Sequence, residues 1–542
     1  MFVFFLTAFT QGKIDVLHYK FEIELGDNND TIYGKAEITL EKYKSNPNIK
    51  FDLSDLNSNG KGMILDSVKW DKLVIPVLDK NVVLSDGNQC RFENNALMLY
   101  LSSGIVRNTT ERLKDTISIK IYYHGIPSDG LIISKNKYGK RTFFADNWPD
   151  RAHHWLPCID DPADKASVEF IVTAPQHYSI VSNGLLIAEK SIPGNKQLSH
   201  WKEDVPLPTK VMVIGVADFA VEKSGEVNNI PVYSWVYAND KEKGFYDYAQ
   251  AVEVLSFLTD YIGPFPYKKL ANVQSKTMFG GMENASAIFY SERSVTGNRT
   301  LEGLLVHEIA HQWFGDMATE KSFAHLWLSE GFATYMTHIY MESKYGTDSL
   351  EKRMENDRKT IIDFANKNDL PVVDTISSLM SLLNANGYQK GSWILHMLRR
   401  MTDDSVFHQI IRTYYETYKG KNADSKDFQV IAEKISGKSL ESFFRQWLYQ
   451  PGVPRVHIKW SYDPSTKNIS FTISQLQKTG NFEFPLEILI QEDKSSMPKR
   501  YIKIIKENTS SFTFPSKSRP IRVEVDPLTS LLFEGFLEEI KN

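Results

Sequence analysis

Leu301-Glu302-Gly303-Leu304-Leu305-Val306-His307-Glu308-Ile309-Ala310-His311-Gln312-Trp313-Phe314, and beyond it Leu326-Trp327-Leu328-Ser329-Glu330-Gly331-Phe332-Ala333, are the stretches on which the fold turns. The first has helical spacing of its apolar residues. Residues four apart share a helix face, so His307 and His311 can reach one metal ion. Glu308 is rotated about 100° from His307. It sits beside the metal rather than on it, where a base for an attacking water belongs. Glu330 follows His311 by nineteen positions. On one continuous helix it would lie about 28 Å further along, at about 1.5 Å per residue. The chain must therefore turn back. Gly315-Asp316 supplies a helix stop, Met317–Ser322 a loop, and a second helix starting near Trp327 returns Glu330 in its first turn. Two histidines, one glutamate and an open position describe a catalytic rather than a structural zinc site, with one Zn2+ per chain. A third ligand from a nearby histidine is excluded, because Phe314 and Met317 stand where that pattern needs glycine and histidine. His153 and His154 are adjacent, point different ways, and are set aside as ligands.

Working outward, 542 residues at roughly 100–200 per domain suggest about three domains. A net charge of −4, with no run of like charges, gives no footing for nucleic acid. Cys90 and Cys158 are the only cysteines, so a thiolate zinc site and a disulfide framework are both excluded, leaving room for one bridge. The start, MFVFFLTAF, is apolar but too short to span a bilayer. Read as the remnant of a signal peptide over residues 1–10, it points to a secreted or periplasmic protein; read as an ordinary chain start, to a cytoplasmic one. No other segment is a transmembrane candidate.

From about residue 13 to 220 apolar residues alternate: Tyr19, Phe21 and Ile23; Ala36, Ile38 and Leu40; Ile117, Ile119 and Ile121. A period of two means strands with one buried face. This predicts a large, mostly antiparallel β domain. Near Gly244 the period becomes helical. A helix through Tyr248, Leu255 and Ile262 stops at Gly263-Pro264, and further helices are expected at about 300–315, 328–345, 350–366, 387–402, 404–418, 426–435 and 439–449. Pro451-Gly452-Val453-Pro454 breaks the pattern, and alternation returns at Val456–Trp460, Ile469–Ile473 and Ile502–Ile504. The expectation is a multidomain α+β chain: a β domain over 11–222, a helix-rich domain over 223–449 and a β-sandwich over 450–542.

Three further motifs resemble those of the aminopeptidase N and leukotriene hydrolase family of gluzincin zinc enzymes. Gly280-Gly281-Met282-Glu283-Asn284 is similar to its exopeptidase motif, Tyr388-Gln389-Lys390-Gly391 to the segment carrying its catalytic tyrosine, and Pro157-Cys158-Ile159-Asp160-Asp161-Pro162 to a stretch of its N-terminal domain. The resemblance runs from about residue 15 to 540. It implies a three-domain member: an N-terminal β saddle, a thermolysin-like catalytic domain and a small C-terminal β-sandwich. A large C-terminal helical domain found in many relatives is expected to be missing, with a more open site as the consequence.

The resemblance also implies roles. Glu283 pairs with the α-ammonium of a peptide substrate, and the Gly280 and Gly281 backbone holds the peptide as an added strand. Met282 and Asn284 complete the substrate-binding segment, and Ala285 helps shape the first side-chain pocket. Tyr388 donates a hydrogen bond to the oxyanion. The expected partner is a peptide with a free N-terminus, and the protein is expected to be a monomer. The chain departs from the family at Asp146-Asn147-Trp148: Trp148 stands where relatives carry a second amine-binding acid or glutamine, and Asp146 is the candidate to take over part of that contact. Ser329 replaces the frequent asparagine before the third ligand. An epoxide hydrolase and a catalytically silent binding protein on the same fold are the alternative readings.

Overall fold

The computed structural model describes residues 14–43, 48–79, 82, 87–101 and 114–541. The segment 1–10, read above as a signal remnant, lies outside the described residues. The chain divides into two compact units: Met1–Ser256 with Phe265–Gln312, and Phe257–Pro264 with Trp313–Asn542.

The first unit is built on the alternation read above. An eight-stranded sheet runs in the order Leu185–Ile192, Lys196–Pro208, Lys165–Pro175, Asp15–Glu24, Ile32–Tyr43, Lys114–Ile126, Gly62–Trp70, Leu73–Ile75. Its pairings are antiparallel except that of Asp15–Glu24 with Lys165–Pro175. Register turns the alternation into one apolar face. Tyr19 lies opposite Ile38 and Val168, Phe21 opposite Ala36 and Phe170, and Ala36 opposite Ile121. All of these are buried. Each large member contributes about 1.5–3 kcal/mol by leaving water, and a one-residue slip would turn the whole row to solvent. Four- and three-stranded sheets complete this β-rich part: Ser179–Ser182, Ile214–Ala217, Arg141–Ala145 and Leu131–Lys135 in one, Asn48–Asp52, Ala96–Tyr100 and Gln89–Glu93 in the other.

The domain over 223–449 is expected to be helix-rich, and its first part also holds most of a five-stranded sheet that begins at Phe219. Its order is Phe219–Val227, Ile230–Tyr237, Leu270–Ser275, Ala287–Ser291, Gly281–Met282. The middle three strands are parallel. All six residues of Leu270–Ser275 are buried. A strand covered on both faces does not alternate, so its sequence carries no period of two. Helices α1 (Lys241–Tyr248) and α2 (Ala251–Ile262) lie between these strands in the chain. The single helix expected here is broken at Ala249-Gln250. Helix α3 (Glu302–His311) closes the unit.

The second unit holds α4 (Trp327–Tyr345), α5 (Thr347–Ala365), α6 (Gly391–Thr402), α7 (Asp404–Tyr418), α8 (Ser425–Ser436) and α9 (Glu441–Tyr449). Local chemistry sets the ends. Asp424 and Asp427 form a reciprocal capping box that starts α8, and the Asp403 carboxylate accepts from the Val406 amide to start α7. Helix α4 is buried along most of its length. It meets the start of α6 at Gly331 and Gly391: a Cβ on Gly331 would stand 2.8 Å from the Gly391 backbone. Side chains larger than hydrogen there would push apart the helix that carries Glu330 and the turn that carries Tyr388. After Tyr449 come two sheets, Thr509–Pro515, Asn468–Gln475, Arg455–Asp463, Glu534–Glu539 and Lys499–Ile505, Phe484–Gln491, Arg522–Val525. Tyr501 of one sheet packs on Phe514 of the other, ring centroids 4.1 Å apart, as in a sandwich. Among the described residues no helix is long and apolar enough to cross a membrane.

Candidate metal centre and substrate-recognition segment

Helix α3 buries Leu305, Val306, Ile309 and Ala310, which fixes its rotation and leaves His307 half-buried and His311 buried at its C-terminal end. The Nε2 atoms of the two histidines are 3.1 Å apart, and their rings stand at 85°. Two imidazoles bonded at about 2.0–2.1 Å to one tetrahedral zinc would hold their nitrogens roughly 3.3 Å apart. The pair as built therefore fits a shared cation. Glu308 is buried on the same helix.

The exopeptidase-like segment meets this helix within the same unit. Glu283, Glu308 and His311 are all buried, and one ligand-type atom from each lies within 4.8 Å of the others. Two carboxylates gathered beside a histidine out of water call for a compensating positive charge. Gly281-Met282 is the edge strand of the five-stranded sheet, with Gly281 opposite Tyr290 and Met282 opposite Phe289. An edge strand is where an extended peptide can add its own backbone. Gly281 also explains why its position is glycine: a Cβ there would stand 2.3 Å from Oε1 of Glu308. Gly281→Val is thus expected to displace the Glu308 carboxylate, lowering kcat about a hundredfold, in keeping with the cost of an ~1 Å misplacement. The far end of Glu308 can move, so thermal melting should stay close to wild type. Steady-state kinetics beside a melting curve checks this; unchanged kcat would mean that the contact has no bearing on Glu308.

The bonds that fix the segment were not legible beforehand. The Gln312 carboxamide donates to the Glu283 carbonyl oxygen (2.6 Å) and accepts from the Ser286 amide (2.8 Å). Asn183 donates to the carbonyls of Val211 and Ala285, at 2.9 and 2.7 Å. Lys269 Nζ donates to the carbonyls of Ser182 (2.8 Å) and Ser286 (3.2 Å). Burial lowers the Lys269 ammonium to about 7, with the Glu203 carboxylate opposing that shift. Ser286 is left-handed, φ +60°, a conformation that needs such support in a residue with a side chain. These partners are 17 to 102 residues away in sequence, and no local motif announces them.

Asp146, expected at the substrate, is fully buried and engaged elsewhere. Its Oδ2 accepts from the Met278 amide (2.8 Å) and from Thr277 Oγ1 (3.3 Å), and its Oδ1 lies 3.1 Å from the Arg151 guanidinium. Burial raises its pKa, and Arg151 with the Met278 amide opposes that rise. Trp148 packs edge-on against Phe279, centroids 5.9 Å apart. Both residues thus meet the segment just ahead of Gly280. His153 bonds Asp160 at 2.9 Å, and His154 bonds Ser54 and Ser128 at 2.8 Å. Cys90 and Cys158 are free and buried.

In the second unit a turn and a short strand precede α4. Gly315 takes φ +117° and donates to the Ala318 carbonyl at 2.9 Å. Strand Ala318–Glu320 and a short 3-10 turn, Phe323–His325, lead into α4. Glu330 sits in its first turn and is buried. Tyr388 is half-buried on a π-helical turn, Asn386–Lys390, where a regular helix was expected. That turn is held by Asn386 Nδ2, which donates to the Leu370 carbonyl (2.8 Å), and by Lys390 Nζ, which donates to the Gly452 carbonyl (2.9 Å). Burial lowers the Lys390 ammonium to about 7.

Known proteins agree with this architecture. Residues 16–211 match the model of the peptidase M1 N-terminal domain, and residues 246–447 that of the peptidase family M1 domain. The chain is 25% identical over 515 residues to "Probable aminopeptidase 2" of Sulfurisphaera tokodaii, covering 90% of this chain and 63% of that protein. It is 25% identical over 355 residues to "Aminopeptidase M1-C" of Oryza sativa, covering 62% and 40%. Against aminopeptidase A of Legionella pneumophila, solved in complex with aspartic acid, the TM-score is 0.77 at 18% identity, over 96% of this chain and 59% of that one. The chain thus spans about two fifths to three fifths of the length of these relatives. With both M1 models matched in order along one chain and the fold shared, the protein belongs to peptidase family M1.

Proposed function

We propose that the protein is a zinc-dependent aminopeptidase that removes the N-terminal residue from peptides with a free α-amine. The observation that carries this is the meeting of Glu283 with Glu308 and His311 in one buried space: an acid suited to an ammonium stands beside an acid suited to a proton. The names of the aminopeptidase relatives support the same reading.

In this reading His307, His311 and Glu330 hold the zinc. When bound there, zinc acidifies water and polarises a carbonyl. The protein's own groups do the rest. Glu283 ion-pairs with the substrate ammonium, a charge-assisted contact of about 1.5–3 kcal/mol. The open side of Gly281-Met282 takes the peptide backbone, and Asn284 completes that segment. Glu308 accepts the proton of the attacking water and passes it to the leaving amine. Tyr388 donates to the oxyanion. Asp146 contributes through the Thr277–Phe279 segment that it holds. The test is hydrolysis of an aminoacyl amide beside its N-acetylated form. Only the unblocked amide should be cleaved; equal rates would remove the exopeptidase claim.

A further inference from the structure

We propose that Gln312 is a positioning residue that sets the preference for a free α-amine, by fastening the Glu283 segment to the helix that carries His307, Glu308 and His311. The inference rests on the aminopeptidase reading above and goes beyond it. Gln312 follows His311 directly, and its own backbone amide bonds back to the Ile309 carbonyl at 3.2 Å. The base of its side chain is therefore fixed to the end of α3. Its carboxamide reaches the segment at two points: the Nε2 donates to the Glu283 carbonyl oxygen and the Oε1 accepts from the Ser286 amide. The two bonds bracket Asn284 and Ala285, so they clamp the backbone on both sides of the turn into the left-handed Ser286.

The side chain is fully buried, where each bond is stronger than in water and an unmade one is costly. Loss of the clamp frees the Glu283 backbone on the helix side, while Asn183 and Lys269 still hold Ala285 and Ser286 from the other side. The segment stays in place, and what it loses is the registry of the Glu283 carboxylate against the metal-binding helix. A substrate bound through the metal then finds its ammonium acceptor misplaced. The expected lesion is in amine recognition, with metal binding and folding spared.

The test is a binding measurement on the zinc-loaded enzyme. Calorimetry gives Kd for L-leucine hydroxamate and for 4-methylpentanoyl hydroxamate, which differ only in the α-amine. Wild type should favour the amine-bearing compound by about tenfold or more, as a charge-assisted contact of about 1.5–3 kcal/mol provides. Gln312→Leu, which removes both bonds, should cut that preference at least about fivefold with zinc content unchanged. Gln312→Glu keeps the acceptor for Ser286 and loses the donor to Glu283, so it should fall between the two. A merely structural role would lower the binding-competent fraction, seen in the stoichiometry, and leave the ratio of Kd values alone. The ratio can therefore be read from whatever fraction of either variant folds. Wild-type preference retained by both variants overturns the role of Gln312. Wild type binding both compounds equally overturns the aminopeptidase reading itself.

Discussion

Glu308→Gln is expected to lower kcat by about 10³-fold while the enzyme keeps its zinc and its melting temperature. Glutamine has nearly the shape of glutamate and preserves a hydrogen-bonding oxygen, so packing against Gly281 survives. It cannot accept a proton at neutral pH, and positioned proton transfer contributes about 10²–10⁴-fold. A loss of about 10³-fold lies in the middle of that range, as expected if, in the proposed cycle, the same carboxylate takes a proton from water and delivers it to the leaving amine. Glu308 leaves α3 about 100° from His307 and about 60° from His311, and the substitution changes neither proposed histidine ligand. Turnover measured beside metal analysis separates the two roles. Full activity in the variant would mean that another group takes the proton, and loss of zinc would mean that Glu308 is a ligand.

His311→Ala should act in the opposite order. Zinc falls from about one per chain to near zero after dialysis, and activity drops below detection. His311 is almost fully buried, and its Nε2 is half of the 3.1 Å pair with His307. Alanine leaves one imidazole on α3, which no longer forms a chelating pair. Structural zinc peptides bind with apparent free energies of about 10–16 kcal/mol from four ligands together, so the loss of one ligand costs several orders of magnitude in affinity. Zinc retained at full occupancy would show that the ion sits elsewhere. The contrast with Gln312→Leu is diagnostic, since its neighbour in sequence is expected to keep the metal and lose only amine preference.

How much of this was legible depended on whether the signal was local. His307, Glu308 and His311 are placed by helix periodicity alone, and the need for Glu330 to return fixed a second helix near Trp327, where α4 begins. The face of the eight-stranded sheet was readable because one side is wet and Tyr19, Phe21 and Ile23 alternate with polar residues. Leu270–Ser275 was not readable, because both faces of that strand are dry. The split between α1 and α2 at Ala249-Gln250 left no glycine or proline to mark it. The supports of the recognition segment were invisible for another reason. Gln312, Asn183 and Lys269 each act through a pair of hydrogen bonds to residues distant in sequence, and a buried polar partner has no sequence pattern of its own. Asp146 shows the limit of position-matching: expected at the substrate, it accepts hydrogen bonds from Met278 and Thr277 through Oδ2 and pairs with Arg151 through Oδ1.

The central claim is tested most directly by one peptide of about ten residues, supplied with a free N-terminus and with an N-acetyl cap. Mass spectrometry follows both over time with zinc-loaded enzyme. The account predicts a ladder of products shortened one residue at a time from the N-terminus of the free peptide, with the acetylated peptide intact. Cleavage of both forms at the same rate, or at internal bonds, would contradict it.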